Sequence, residues 1–138
     1  MKKLLVIATL LAIAGSVLAS TSIKWGHDYE AAEKLAAKSH KLLMVDMYTD
    51  SCIWCRRLDA YVYPSQPVLK ESQNFVALKL NAENEGRTAA TLYGVNVYPT
   101  VLFLKPNGDL VYKIMGFMPP ARFAKEMRKA LRAGKSGS

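Results

Sequence analysis

Seven successive residues, Leu42-Leu43-Met44-Val45-Asp46-Met47-Tyr48, are apolar at every position but one. A strand with one wet face alternates apolar and polar side chains, whereas an unbroken run fits a central strand covered on both faces. Such a strand needs helices on both sides of its sheet. Asp46 stands out as an acid inside a run that should be buried. Just beyond the run, Cys52-Ile53-Trp54-Cys55 holds the only two cysteines of the chain. The residues after it, Arg56-Arg57-Leu58-Asp59-Ala60-Tyr61-Val62, read as a helix, so the cysteine pair sits at a strand-to-helix junction.

The 138 residues leave room for one domain with a full hydrophobic core. A hydrophobic content of 51% with 22% charged residues fits a globular chain. The N-terminus differs in kind: Met1-Lys2-Lys3 is basic, Leu4 to Ala14 is apolar, and Val17-Leu18-Ala19 has the small-residue spacing of a cleavage site. Residues 1–19 read as a secretory signal peptide, cleaved after Ala19. The apolar run is shorter than the ~20 residues a membrane-spanning helix needs. The expected organisation is therefore signal peptide 1–19, folded domain 20–132 and flexible tail 133–138, in a periplasmic or secreted protein. Without Lys2 and Lys3, 17 of the 19 basic residues face 11 acidic ones, a net charge of about +6. They are scattered along the chain, as on a solvated surface, so no nucleic-acid partner is expected.

Turn and cap residues divide the rest. Ile23-Lys24-Trp25 reads as a short edge strand, and Asp28 as the N-cap of a helix over Tyr29–Ser39 with Tyr29, Ala32, Leu35 and Ala36 on one face. The helix after Cys55 is expected to run to Tyr63, where Pro64 stops it. Ser65-Gln66-Pro67 opens a short helical piece to Ser72. Phe75–Leu80 reads as a strand, and Asn84–Tyr93 as a helix ending at Gly94. Strands over Thr100–Lys105 and Leu110–Met115 are joined by the hairpin signal Pro106-Asn107-Gly108-Asp109. A last helix starts at Pro119-Pro120, with Phe123, Met127, Ala130 and Leu131 along one face. The order β-α-β-α-β-α-β-β-α predicts an α/β fold with a central mixed sheet flanked by helices.

A helix N-terminus offers free amides and a positive dipole end, both of which stabilise a thiolate. Cys52 is placed there as the exposed nucleophile. Cys55, one turn along, can attack a mixed disulfide formed on Cys52. A merely structural bridge would close a ring of only four residues, giving about 2 kcal/mol at best. Structural zinc needs four ligands, and there is no second cysteine pair; His27 and His40 lie twelve or more residues away. Covalent haem would need a histidine where Arg56 stands. Neither a metal nor a cofactor is expected.

Cys52-Ile53-Trp54-Cys55, Asp46 six residues before it, Tyr98-Pro99-Thr100 and Gly116 together resemble the thioredoxin-fold family across roughly residues 25 to 132. Within it, Trp25 and Tyr29 are similar to the opening of small exported single-domain members. Tyr63-Pro64-Ser65-Gln66-Pro67-Val68 and Pro119-Pro120-Ala121-Arg122-Phe123 resemble the C-terminal module of transmembrane thiol:disulfide interchange reductases. The resemblance implies a thiol:disulfide oxidoreductase with Cys52 and Cys55 as its redox-active disulfide. It implies that Asp46 is a buried acid that moves the proton of Cys55, with Lys79 as its neighbour. It implies a cis bond at Tyr98–Pro99 facing the cysteines, with the Tyr98 backbone pairing with an extended substrate. Trp54, with Tyr48 and Met118, is expected to form an apolar docking rim. The partners expected are protein disulfides and a membrane-bound redox protein, and a monomer is expected.

The chain also departs from the family. Ser51 stands where Trp usually precedes the first cysteine, and Ile53-Trp54 replaces Gly-Pro, so the redox poise is not carried over. Potentials of about −270 and −120 mV differ by roughly 7 kcal/mol. Asp46, and the lack of a long helical insertion before Pro99, favour reduction or isomerisation of substrates. A disulfide-donating oxidase and a binding or assembly module with a structural cysteine pair are the alternatives.

Overall fold

The computed structural model describes residues 21–136, so the expected signal peptide lies outside the described residues. Strand β1 (Leu42–Tyr48) lies between β2 (Phe75–Asn81), to which it runs parallel, and the antiparallel β3 (Thr100–Leu104). Strand β4 (Leu110–Met115) pairs antiparallel with β3 and completes a four-stranded sheet in the order β2-β1-β3-β4. The unbroken apolar run thus becomes a strand paired on both edges, and Leu43 to Met47 are each at most 1% exposed.

Successive side chains of a strand point to opposite faces, and the two cores follow that alternation. On one face Met44, Phe75, Ala77, Val101 and Phe103 pack against Phe123, Met127 and Ala130 of helix α5 (Pro120–Ser136). Leu58, Val62 and Tyr63, from the segment after Cys55, belong to the same core. On the other face Leu43, Val45, Met47, Leu78, Leu80 and Leu102 meet Ala32 and Ala36 of α1 (Tyr29–Ser39). Asp28 caps α1 as expected, its Oδ1 accepting from the Ala31 N–H at 3.0 Å.

Several elements differ from the sequence expectation, each for a local reason. Ile23-Lys24-Trp25 is not a strand: Gly26 makes one isolated bridge to Leu78, while the Trp25 ring stacks edge-on against Tyr63 at 4.9 Å. Leu35 is 54% exposed, because α1 approaches the sheet through its small alanines and Leu35 is left lining an open cleft. The helix after the cysteines is α2 (Ile53–Arg57) followed by a π-helical turn over Leu58–Val62, closed by the Tyr63 N–H donating to the Leu58 carbonyl. Next comes α3 (Gln66–Ser72).

The helix expected from Asn84 begins only at Arg87, as α4 (Arg87–Leu92), because the Asn84 and Gly86 N–H groups both turn back to the Asn81 carbonyl. Residues 133–136, expected in the tail, continue α5, whose Gly134 lies against Leu42.

Gly86 is held by close approach. Its φ of −86° is ordinary, but a Cβ there would stand 2.8 Å from the Asn81 carbonyl oxygen and 2.9 Å from Leu80 Cβ. Backbone cannot rotate away from such a clash as a side chain can. Gly86→Ala is therefore expected to destabilise the fold by about 1–3 kcal/mol, read as a lower urea midpoint; an unchanged midpoint would mean that the 81–86 turn yields freely.

Candidate active site

Cys52 is the N-cap of α2, with extended backbone at φ −77° and ψ 105°. Its Sγ accepts from the Cys55 N–H at 3.1 Å. Cys52 and Cys55 form a disulfide with Cα atoms 5.3 Å apart. The two sulfurs differ in access, since Cys55 is 4% exposed and Cys52 is partly open to solvent. One cysteine can therefore meet a large partner and the other cannot. Arg56 donates from Nη1 to the Asp50 carbonyl at 2.9 Å, and the Arg57 guanidinium lies 4.7 Å from the centre of the Trp54 ring.

Asp46 is 1% exposed. It points to the same sheet face as Met44, the face on which Leu58 and Val62 of the cysteine-bearing segment pack. The β1–β2 register sets Asp46 opposite Lys79, whose Nζ lies 3.4 Å from Asp46 Oδ2 and also pairs with Asp59 Oδ1 on the π turn. The rings of Trp25, Tyr48 and Tyr63 surround the ammonium at 5.3–5.6 Å, a cation–π enclosure. Asp46 Oδ1 and the Tyr63 hydroxyl are buried without a hydrogen-bond partner among the described residues.

Burial pushes the Asp46 carboxyl up to about 6; the Lys79 charge pulls it back, and Asp59 adds a smaller upward push. Tyr63 is raised well above its ordinary range by burial first and by the Asp46 charge second.

The Tyr98–Pro99 peptide bond is cis. Pro99 is buried, and its carbonyl accepts from the Gly116 N–H at 2.7 Å. Gly116 has φ +78°, a left-handed conformation that suits glycine and turns the chain into Phe117. The Phe117 ring lies 5.5 Å from that of Trp54. The cysteine turn, the Pro99 loop and the loop after β4 are thus tied together, with Trp54 46% and Phe117 36% exposed at the junction.

Most of the residues singled out from sequence converge on this region, but the apolar rim is built differently. Met118 packs against the α5-side core and Tyr48 faces Lys79; Phe117 takes the place beside Trp54. Tyr98 is half-buried, with its side chain against the α1-side core. Sequence reasoning missed Phe117, Asp59 and Asn81. An aromatic residue directly after Gly116, in the short loop before Pro119, was the available signal for the first. Nothing in the helical pattern marked Asp59, because the π turn sets its direction.

An acid with a raised pKa stabilises the fold below its unfolded value, and that contribution is lost as pH rises through the folded one. With Asp46 moved from 3.8 to about 6, its own contribution to stability should fall by about 3 kcal/mol across that window. Asp46→Asn removes this dependence while Lys79 keeps Asp59. The variant is expected to exceed wild type by roughly 1–3 kcal/mol at pH 8 and to match it near pH 4. Urea titrations at both pH values measure this, and a variant less stable at pH 8 would contradict it.

The comparisons with known proteins agree with this geometry. A thioredoxin-like domain family model matches residues 29–131. The thiol:disulfide interchange protein DsbD of Tatumella citrea is 31% identical over 102 residues, covering 70% of this chain and 18% of that protein. The chain therefore spans less than a fifth of the length of such relatives. A thioredoxin from Thermus thermophilus, 28% identical, has a TM-score of 0.74 over 85% of this chain and 94% of that one. The oxidised C-terminal domain of Neisseria meningitidis DsbD shares the fold, with a TM-score of 0.66 and 22% identity over 78% of this chain and 99% of that one. Through residues 29–131, the chain belongs to the thioredoxin-like domain family.

Proposed function

We propose that this chain is an exported thiol:disulfide oxidoreductase that reduces or isomerises protein disulfides in the periplasm or outside the cell, after removal of residues 1–19. One observation carries the reading: a disulfide at a helix start joins a partly exposed Cys52 to a buried Cys55. Buried Asp46 on the sheet face beneath that segment supports it.

In the reducing direction the Cys52 thiolate attacks one sulfur of a substrate disulfide and expels the other as a thiolate. A mixed disulfide remains on Cys52. Asp46, with its pKa near the working range, takes the proton of Cys55. The Cys55 thiolate then attacks Cys52 Sγ, which releases the substrate as a dithiol and leaves the Cys52–Cys55 disulfide. Two electrons have passed to the substrate, and a reduced partner must return them. A membrane-bound redox protein fits that role, because a bacterial periplasm holds no buffering thiol pool. Tyr98 would pair through its backbone with the extended substrate beside Pro99, and Trp54 would cover the segment next to the attacked sulfur.

Insulin reduction by residues 20–138, with the reduction potential measured against glutathione, tests the reading. Turnover is expected, with Cys52→Ser inactive and Cys55→Ser accumulating a mixed disulfide visible by mass. Asp46→Asn should slow turnover at pH 7 about tenfold or more. A potential near −120 mV would assign the chain to disulfide donation instead. An unreactive Cys52 would leave a binding module with a structural bridge.

A further inference from the structure

The three residues between β1 and Cys52 (Thr49, Asp50 and Ser51) fix where the nucleophile sits, yet they pack no side chain into either core. What holds them is polar. Asp50 Oδ1 accepts from Asn81 Nδ2 at 3.0 Å, and its carbonyl accepts from Arg56 Nη1 at 2.9 Å. One residue is thus tied forward to the helix and sideways to the sheet.

Asn81 is only 3% exposed, at the end of β2 and opposite Tyr48 in the β1–β2 register. Its side-chain oxygen accepts from the Glu83 N–H at 2.9 Å, and its own N–H donates to Glu85 Oε1 at 2.8 Å. A buried amide with both ends engaged is held in one orientation, and breaking one end leaves the other costly to bury.

We propose that Asn81 is a positioning residue for Cys52, acting through Asp50. The Asn81–Asp50 bond holds the loop so that Cys52 starts the helix with its Sγ on the Cys55 N–H. That donor, met across the disulfide in the oxidised protein, would stabilise the thiolate in the reduced one. Loosening the loop weakens the contact and raises the pH at which Cys52 becomes nucleophilic. The inference rests on Cys52 being the attacking thiol.

The test is the pH profile of iodoacetamide alkylation at Cys52 in the reduced mature chain, followed by mass. Asn81→Asp keeps the acceptor for Glu83 but sets a carboxylate against Asp50. Alkylation at pH 7 is expected to fall about three- to tenfold, with the profile displaced to higher pH. Asp50→Asn, which keeps an oxygen for Asn81 to bond, should stay within twofold of wild type. The double variant Asn81→Asp, Asp50→Asn rebuilds the bond with donor and acceptor exchanged and should regain most of the wild-type profile.

If Asn81→Asp leaves the profile in place, or if the exchanged pair restores nothing, the inference is overturned. Should Asn81→Asp fail to fold, Asp50→Ala on the exposed side of the bond carries the same expectation and the same refutation. A wild-type Cys52 with the profile of an ordinary thiol would instead reject the redox reading, and this inference with it.

Discussion

A carboxylate in a strand that is both paired on two edges and packed on two faces is an expensive thing to keep ionised. Asp46 has no route to water along β1, so its compensation comes from across the sheet. The parallel register with β2 supplies it by setting Lys79 opposite Asp46. A slip of one residue would send Lys79 into the α1-side core and leave the acid alone. The register of β1 and β2 is therefore fixed by charge as well as by the alternation of Leu78 and Leu80 with Ala77 and Lys79. The aromatic rings that enclose the ammonium extend this arrangement to Trp25 and Tyr63, so the lead-in segment and the π turn close over the same ion pair.

On the opposite side of the cysteines the organisation is by loops, and each is anchored at a strand end. Pro99 precedes β3, Gly116 follows β4, and the Pro99–Gly116 hydrogen bond joins them. Trp54 rests on Phe117 above that joint. The cysteine-bearing segment thus packs on the sheet face that carries Asp46 and presents a partly exposed aromatic edge at Trp54 and Phe117.

Much of this was legible in the amino acids. The unbroken run Leu42–Tyr48 announced a two-sided sheet, and the turn residues around Gly108 and Pro64 placed the element ends. Cys52, Cys55 and Asp46 stand out because each breaks a local pattern, a thiol pair at a junction and an acid in an apolar run, whereas Pro99 is singled out by the family resemblance of Tyr98-Pro99-Thr100. What escaped were features that depend on distance between segments. Periodicity put Leu35 on the buried face of α1, but the small Ala32 and Ala36 decide how close that helix comes. A continuous α-helix was the simplest reading of Cys55–Tyr63, since no residue type there marks a change to five-residue hydrogen bonding. Asn81 fell just beyond the expected strand Phe75–Leu80, and only the folded backbone brings it to Asp50, thirty-one positions away.

The π turn also has a consequence for chain length. A π turn carries one residue more than the α-helical turn it replaces, and here the surplus lies between Leu58 and Tyr63. Ala60 and Tyr61 are exposed, whereas Leu58 and Val62 belong to the core and Asp59 to the Lys79 cluster. Excision of a single residue at position 60 or 61 would return the turn to α-helical pitch, with the cysteines at one end and Pro64 at the other still in place. An added residue has no comparable slack to take it up. In length this stretch is asymmetric: it can lose a residue more readily than gain one.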